Sequence, residues 1–485
     1  MLLNTAFKFE PHQVFINGVW RQSDSAETLP LINPSDGTIL CDIAQGDAND
    51  IDEAVKAATA AHAGDWGKST ALERGRLLTQ LGHKVLEHVN TLAELEAFDV
   101  GKPLSQARND AVALARYCEF FGGAADKVHG DTIPYLDGYT VYTLREAHGV
   151  TGHIVPWNYP MQIIGRSVGA ALAMGNAVVL KPAEEACLTA LVFAELAHQV
   201  GFPAGSINVV PGLGGVAGAA LSAHKGVHHV SFTGSVATGC AVQQAAAEHH
   251  APVTLELGGK SAQVVFDDAD MDAALPFLLN AGIQNAGQTC SAASRLLVHR
   301  SRHSEMVERL AKAYESLRVG PAIDDYDLGP MISKRQQTRV KNYLAKGTDL
   351  TLAATGRLIA DVPNNGAYVV PTLFDQVDPS HTLAQEEVFG PVQTVIVFDD
   401  DDEAVQIANG TDYGLVAAAW TQNGARQMRM AKVLKAGQVF INNYGAGGGV
   451  ELPFGGVSAS GHGREKGFES LYGFSTLKTV AVKHD

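Results

Sequence analysis

Five short apolar segments punctuate the chain between residues 151 and 256: TGHIV (151–155), AVVLK (177–181), INVV (207–210), HVSFT (229–233) and VTLE (253–256). Helical patterns separate them, so they are predicted to be strands joined by crossover helices. This alternation is typical of a parallel sheet with helices on both faces. Because ligands of such sheets bind at the carboxyl ends of the strands, we expect functional residues there.

The remaining chain predicts further units around this sheet. Residues 1–120 are expected to be mostly helical, Met161–Ala173 is predicted to be one helix, and alternation resumes after Gly258 in a second α/β unit. Gly130–Arg145 is typical of a β-hairpin arm, and Ser475–Val482 alternates like a strand. Because neither segment has a sheet of its own, we expect pairing between subunits, in a homodimer or homotetramer.

Composition limits the class of protein. The chain has 485 residues, which favours two or three domains, and its net charge is 36 − 52 = −16, which disfavours nucleic acid and anionic membranes as partners. Its five cysteines include no C-x-x-C pair, so neither a disulfide framework nor a metal site is expected. With no secretory signal in Met1–Glu10 and no apolar stretch of bilayer length, a cytoplasmic protein is expected.

Two motifs suit a dinucleotide. Gly234 and Gly239 lie in FTGSVATG (232–239), where a strand meets a helix whose N-terminus favours a phosphate, although an ordinary tight turn would explain the glycines equally. Lys181 and Glu184 follow another strand and could bind ribose hydroxyls. A carboxylate there disfavours a 2′-phosphate, so NAD is preferred over NADP; a solvated helix start is the alternative.

Four motifs contain candidate catalytic or binding side chains. Cys290, in GQTCS (287–291), has small polar neighbours that suit an accessible thiol, and Glu256 ends a strand before two glycines, as a mobile base would. Asn158 could donate to an oxyanion. Glu387 could bind hydroxyls and Phe389 could wall a flat ring. The alternatives are an inert cysteine, a strand-end carboxylate, a turn-forming asparagine and a solvated acidic loop.

Taken together and in this order, the motifs resemble the NAD(P)-dependent aldehyde dehydrogenase superfamily, from Phe15-Ile-Asn-Gly18 to Lys478. The resemblance implies a Rossmann-type NAD-binding domain (1–128 and 146–256), a second α/β catalytic domain (257–450), and a small β oligomerisation arm with its tail (129–145 and 470–485). It implies that Cys290 is the nucleophile, Glu256 the base and Asn158 the oxyanion-hole residue beside the Cys290 backbone N–H. Its cofactor-binding residues correspond to Pro156, Trp157, Lys181, Glu184, Gly234, Ser235, Gly239, Glu387 and Phe389.

The same resemblance implies NAD-dependent oxidation of an aldehyde through a Cys290 thiohemiacetal and thioester, deacylated by water that Glu256 activates. An ionised Cys290 is expected. The carboxylate of Glu256 favours hydrolysis over transfer to CoA. A binding protein that has kept the fold without the activity is the alternative.

Substrate residues implied by the resemblance include Arg166, which could pair with a substrate carboxylate. The alternative is a helix-surface arginine salt-bridged to a neighbour. Gly445–Gly449 lacks an aromatic residue, which would admit a bulky or aromatic aldehyde. A carboxylated semialdehyde, such a bulky aldehyde, and a betaine-like or amino aldehyde are the candidates. The positions that line the family's substrate tunnel are Tyr159, Gln162, Ile163, Arg166, Thr289, Ser291 and Phe454.

Overall fold

The computed structural model describes residues 10–445 and 449–484, so Met1–Glu10 and Gly445–Gly449, on which two predictions rest, lie partly outside it. Strands in these ranges form two large sheets and several small ones. In chain order the strands are β1 (Gln13–Ile16), β2 (Val19–Gln22), β3 (Thr28–Ile32), β4 (Ile39–Ala44), β5 (Thr132–Ile133), β6 (Tyr139–Ala147), β7 (Val150–Val155), β8 (Ala177–Pro182), β9 (Ile207–Val209), β10 (His229–Thr233), β11 (Val253–Glu256), β12 (Ala262–Val265), β13 (Arg295–His299), β14 (Arg318–Val319), β15 (Thr351–Thr355), β16 (Arg357–Leu358), β17 (Thr372–Asp375), β18 (Val392–Phe398), β19 (Tyr413–Gly414), β20 (Val416–Trp420), β21 (Gln438–Ile441), β22 (Val457–Ser458), β23 (Gly461–His462) and β24 (Ser475–Lys483).

Helices cover the faces of both large sheets. Side-chain caps start many of them; Asp47 and Thr70, for example, form capping boxes with Asp50 and Glu73. The α-helices are α1 (Ala48–Ala63), α2 (Asp65–Lys68), α3 (Ala71–Glu87), α4 (Val89–Asp99), α5 (Leu104–Ala124), α6 (Pro160–Ile163), α7 (Gly169–Ala173), α8 (Leu188–Gln199), α9 (Ala219–Ala223), α10 (Val236–Ala247), α11 (Met271–Ile283), α12 (His303–Ser316), α13 (Lys334–Leu344), α14 (Thr382–Gln385), α15 (Asp401–Ala408), α16 (Gly424–Val433) and α17 (Glu469–Gly473).

The first large sheet has the order β2-β1-β9-β8-β7-β10-β11-β23 among the residues described. The five strands predicted from the sequence, β7 to β11, pair in parallel in the order β9-β8-β7-β10-β11. The order reverses between β7 and β10, which is the switch point where doubly wound sheets bind ligands. The predicted parallel sheet is therefore confirmed.

The second large sheet has the order β15-β17-β18-β13-β12-β20-β21. All its neighbours pair in parallel except β15, which runs antiparallel to β17. The second α/β unit predicted after Gly258 is thus present. Its apolar core, with Trp420, Phe266 and Phe398 fully buried, is separate from the core of the first sheet.

The hairpin arm and the tail form a sheet together. β24 pairs antiparallel with β6 over nine residue pairs, from Ser475↔Ala147 to Lys483↔Tyr139, and β5 completes the order β24-β6-β5. The premise that these segments have no sheet within the chain was therefore wrong. Exposed apolar side chains, including Leu144 and Leu477, still leave this sheet a surface that another subunit could cover.

Two other predictions needed correction. The stretch up to residue 120 is helical from α1 onward, but within residues 10–47 the structure has strands instead: β1 and β2 join the first sheet, while β3 and β4 form a hairpin. The single helix expected over Met161–Ala173 is interrupted by a π-helical turn, Ile164–Val168, between α6 and α7. In addition, no helix in the described ranges is long and apolar enough to cross a membrane.

Three histidines stack where the arm meets the first sheet. The rings of His148 and His229 are 5.1 Å apart, and Phe474 contacts the rings of His229 and His153 at 4.9 and 5.5 Å. His153 and His229 are buried, and neither Nδ1 atom has a hydrogen-bond partner among the described residues. Burial lowers the pKa of His153 to about 3 and holds that of His229 well below its ordinary value.

These histidines predict acid sensitivity. Between pH 6.5 and the depressed native pKa values, the unfolded chain binds more protons than the folded one, so the free energy of unfolding falls as pH falls below about 6.5. Each such histidine adds a slope of about 1.4 kcal/mol per pH unit. The change in the free energy of unfolding between pH 7.5 and 5.5 can be measured by urea unfolding. His153→Gln should reduce the slope, and His83→Gln, on the exposed face of α3, should not; equal slopes in all three proteins would contradict the assignment.

Candidate active site

A cavity of about 950 Å³ opens at the carboxyl ends of β7, β8, β10 and β11. The amino ends of the second sheet face the same space, because the segments that lead into β13 and β18 contribute Cys290 and Glu387. The structure therefore brings residues from distant motifs together. Predicted residues that line the cavity are Pro156, Trp157, Asn158, Tyr159, Gln162, Ile163, Arg166, Lys181, Glu184, Gly234, Ser235, Glu256, Thr289, Cys290, Ser291, Glu387, Phe389 and Phe454.

Gly239 is the predicted site residue that does not line this cavity. It lies in α10, where a Cβ atom would come within 2.6 Å of the Leu257 side chain. The glycine therefore lets α10 approach the strand-end segment after β11. Gly234, by contrast, lines the cavity at the turn into α10.

A backbone of unusual conformation delivers Cys290. Asn285, Ala286 and Gly287 all have positive φ values, of 49°, 53° and 71°. A Cβ atom at Gly287 would lie 2.2 Å from the Gly390 carbonyl oxygen, so glycine is required there. Left-handed backbone at a non-glycine residue costs about 1–3 kcal/mol and persists only where surrounding contacts hold it. The segment before Cys290 is therefore held in place by its neighbours.

The Cys290 thiol lines the cavity and is partly exposed. Burial raises its pKa to about 12, although Arg166 acts in the opposite direction. Burial thus favours the protonated thiol in this ligand-free form, and the ionised Cys290 expected from the sequence stays a prediction. The Cys290 backbone N–H makes no hydrogen bond to another residue within the described ranges, so it can donate to a ligand.

Glu256 ends β11 and is almost completely buried, with both carboxylate oxygens lacking a hydrogen-bond partner among the residues described. A Cβ atom on Gly455 would lie 2.7 Å from Oε1, so the carboxylate packs against this glycine. Burial raises the pKa of Glu256 well above its ordinary value. A carboxylate whose pKa is raised in this way accepts a proton more readily than an exposed glutamate does.

Asn158 follows β7 and is buried beside the Cys290 segment. Its Nδ2 donates to the Gln288 carbonyl oxygen at 3.0 Å, and Asn285 Nδ2 donates to the Asn158 carbonyl oxygen at 3.0 Å. These bonds join the end of β7 to the loop that leads to Cys290. One N–H of the Asn158 amide remains for a ligand.

The other half of the cavity contains the groups expected to bind nucleotide. Lys181 Nζ is 2.9 Å from Glu184 Oε2. Burial alone would raise the pKa of Glu184, but the Lys181 ammonium holds it below its ordinary value, so the carboxylate is ionised. Ser235 caps α10 by accepting the Thr238 N–H at 3.3 Å, and this helix begins at the cavity wall.

Glu387 and Phe389 lie between these groups and Cys290. Glu387 Oε1 accepts the Gly259 N–H at 2.9 Å, and burial raises the pKa of Glu387 to about 7. The ring of Phe389 is 5.3 Å from that of Trp157 and perpendicular to it. The pair forms an aromatic wall on which a flat ring could rest.

Arg166 lies in the π-helical turn and is buried in the cavity wall. Its Nε forms an ion pair with Glu465 Oε2, Nη2 donates to Thr233 Oγ1 at 3.2 Å, and the guanidinium lies 5.0 Å from the Phe454 ring. Ser231 Oγ donates to the other carboxylate oxygen of Glu465 at 2.6 Å. Arg166 therefore forms a salt bridge, as expected if it does not bind a substrate carboxylate. The salt bridge lies in the protein interior, however, and not on a helix surface.

Sequence reasoning missed Glu465 and a second buried charge cluster behind the substrate residues. Lys102 is buried, pairs with Glu96 at 2.6 Å and with Asp110, and lies 3.8 Å from the centre of the Tyr159 ring. Gln162 Nε2 donates to Asp110 Oδ1 at 2.5 Å. The sequence indicated the burial of these charged residues only through the apolar residues that flank them. No cluster of potential metal ligands occurs within the described parts of the chain.

Comparisons with known proteins agree on one family. The model of the Aldehyde dehydrogenase family matches residues 20–480. Hydroxyisobutyraldehyde dehydrogenase of Mycolicibacterium austroafricanum is 40% identical over 474 residues, which cover 97% of this chain and 94% of that protein.

Solved structures give the same result. A Burkholderia cenocepacia chain named as a candidate aldehyde dehydrogenase is 61% identical, with a TM-score of 0.97 over 98% of this chain and 100% of that one. The NAD+ complex of an aldehyde dehydrogenase from Bacillus cereus is 38% identical, with a TM-score of 0.95 over 99% of this chain and all of that one.

The contact between Gly259 and the Cys290 segment predicts the result of a substitution. A Cβ atom at Gly259 would lie 2.3 Å from the Cys290 carbonyl oxygen, so Gly259→Ala must displace one of the two backbones. We expect a loss of about 1–3 kcal/mol in the free energy of unfolding, measured in urea. Gly424→Ala is the matched control, because no atom lies within 4 Å of a Cβ there. An unchanged stability of Gly259→Ala would contradict the packing described.

Proposed function

Because this chain belongs to the aldehyde dehydrogenase family, we propose that it oxidises an aldehyde to the carboxylic acid with NAD, using Cys290 as the nucleophile and Glu256 as the base. The observation that supports this assignment is that Cys290, Asn158 and Glu256 line one cavity together with the nucleotide-type groups. Those three side chains come from separate strand ends, and a binding protein without activity has no need for all of them.

The cavity suits NAD on physical grounds. The first turn of α10 faces it, and nothing lies within 4 Å of a Cβ added to Gly215 in its wall, which leaves room for a pyrophosphate close to the backbone. Lys181 and the ionised Glu184 would bind the hydroxyls of the adenosine ribose, and Glu387 those of the second ribose. NAD supplies the acceptor for the two electrons that leave the aldehyde carbon.

Asn158 and Cys290 would perform the first half of the reaction. The Cys290 sulfur attacks the aldehyde carbon: the carbon–sulfur bond forms as the carbon–oxygen double bond becomes single, and in the resulting thiohemiacetal the thiol proton resides on the former carbonyl oxygen. The aldehyde oxygen then accepts hydrogen bonds from the Cys290 backbone N–H and the free N–H of Asn158, both available in the structure. Oxidation of this thiohemiacetal leaves a thioester on Cys290.

Glu256 would perform the second half. Water must lose a proton as it attacks the thioester carbon, and a buried carboxylate without other partners is a strong acceptor for it. The carbon–sulfur bond then breaks and the carboxylic acid leaves. Because burial raises the pKa of Glu256 above its ordinary value, its carboxylate is a stronger base than that of an exposed glutamate.

The ion pair of Arg166 with Glu465 in the cavity wall helps to choose among the candidate aldehydes named in the sequence analysis. Since Glu465 already pairs with Arg166, a carboxylated semialdehyde would have to compete with an internal carboxylate. A betaine-like or amino aldehyde would place a cation near the same guanidinium. A neutral aldehyde, including a bulky or aromatic one, neither competes with Glu465 for Arg166 nor places a second positive charge beside it. We propose a neutral substrate.

We also propose the assembly and division of the chain implied by the resemblance. Residues 1–128 and 146–256 would bind NAD, 257–450 would form the catalytic domain, and 129–145 with 470–485 would join subunits into a homodimer or homotetramer. The exposed apolar side chains of the β24-β6-β5 sheet support the last point. A cytoplasmic location stays a prediction.

Two substitutions separate the two halves of the reaction. Cys290→Ala should lower the rate of NADH formation, followed at 340 nm with a panel of aldehydes, by about 10⁴-fold or more, since no thioester can form. Glu256→Gln should retain a burst of NADH of about one equivalent and then stall as an acyl-enzyme visible by mass spectrometry. Full turnover by the Cys290 variant would refute the proposed nucleophile. An acyl-enzyme released by added CoA but not by water in the unmodified enzyme would indicate a CoA-acylating enzyme instead.

Glu184 predicts the preference between cofactors. Its carboxylate repels a 2′-phosphate, so the unmodified protein should favour NAD over NADP in kcat/KM, and Glu184→Gln should narrow this ratio by about tenfold or more. Glu248→Gln is the matched control, because this glutamate is exposed at the end of α10 and does not line the cavity. A ratio that Glu184→Gln leaves unchanged would remove Glu184 from the ribose site.

A further inference from the structure

Arg166 occupies a central place in the wall around the proposed nucleophile and base. It contacts Thr233, whose register partner across the parallel β10–β11 pair is Glu256 itself. It also packs on Phe454, the residue before the glycine against which Glu256 rests. Arg166 and Glu256 therefore share their neighbours on two sides.

Glu465 fixes the guanidinium in this position. Its backbone exchanges two hydrogen bonds with Phe454, of 2.7 and 2.8 Å, and its carboxylate accepts from Ser231 while it pairs with Arg166. All of these contacts are buried. The charge of Arg166 is thus held at one point of a cavity wall, where it is poorly screened by solvent.

We propose that Arg166 is a positioning residue whose fixed charge makes the Cys290 thiol and the Glu256 carboxyl easier to ionise, and that Glu465 moderates this effect. The proposal rests on the roles given above to Cys290 and Glu256, and it assigns Arg166 to the machinery of the reaction rather than to recognition of a substrate carboxylate.

The electrostatics of the site agree with this geometry. After burial, Arg166 exerts the largest influence on the pKa of both Cys290 and Glu256, and it lowers both values. Burial by itself would lower the pKa of Arg166, but the Glu465 carboxylate above all holds it above its ordinary value, so the guanidinium stays charged. The other charged or titratable groups that act on Cys290 or Glu256 are Glu387, Glu465, Arg464 and Lys466, with Tyr159 and Tyr444 also coupled to Cys290.

The two members of the ion pair should have opposite effects, which provides a sharp test. Arg166→Gln removes the charge, whereas Glu465→Gln leaves the guanidinium uncompensated. The readout is the rate at which iodoacetamide, a neutral reagent, alkylates Cys290 in the full-length protein at pH 8, followed by peptide mass spectrometry. The exposed Cys240 is an internal control in the same sample.

We expect Arg166→Gln to lower the alkylation rate of Cys290 by about tenfold, because loss of a poorly screened positive charge that acts on the thiol should raise its pKa by about one unit. Arg166→Lys should remain within about threefold of the unmodified protein, and Glu465→Gln should raise the rate by about threefold or more. Cys240 should react equally in all four proteins. If the two glutamine variants lost structure, Cys290 would be exposed and its alkylation rate would rise in both. Thermal melts identify a variant that has not folded. In that case the alkylation rate of Arg166→Lys is compared with that of the unmodified protein.

A substrate assay distinguishes the proposal from carboxylate recognition. With 4-oxobutanoate and pentanal as substrates, Arg166→Gln should lower kcat/KM for both by similar factors and shift the pH–rate profile to higher pH. A loss confined to 4-oxobutanoate, or a Cys290 alkylation rate within twofold of the unmodified protein, would overturn the proposal. The proposed function fails separately, through turnover by Cys290→Ala.

Discussion

The parallel pairing of β7 with β10 is the contact on which the site depends. The chain runs from β7 through β8 and β9 before β10 pairs on the other side of β7, so the strand order reverses at this pair, and a crevice forms at its carboxyl edge. The crevice that results receives the ends of both strands, and the second sheet closes it with the segment that carries Cys290. A reaction that needs a nucleotide, a nucleophile and a base in one place therefore obtains them from backbone topology.

Burial is the second constraint, because it determines the chemistry of each group in the cavity. Removal from water makes the thiol of Cys290 and the carboxyl of Glu256 reluctant to ionise. The same removal strengthens the field of any fixed charge nearby. A buried cation stays charged without a large free-energy cost only if an anion pairs with it. The ion pair of Arg166 with Glu465 meets this condition.

Much of this arrangement could be predicted from the sequence, and the rest could not for physical reasons. The five parallel strands β7 to β11 of the first sheet could be placed within about a residue because each is a short, largely apolar run between helices. The π-helical turn at Arg166 gives no signal in hydrophobic periodicity, and β1 to β4 are short edge or hairpin strands without clear alternation. Glu465 could not be assigned to Arg166 because only the tertiary fold brings these distant segments together.

The effect of burial on the pKa of Cys290 also bears on the durability of the protein. Peroxide attacks a thiolate far faster than a thiol, and the sulfinic and sulfonic acids that follow are irreversible losses. A sulfur that lines an open cavity of about 950 Å³ is within reach of such oxidants at all times. Because burial disfavours the thiolate, the sulfur is less open to oxidative damage than an exposed, ionised cysteine would be.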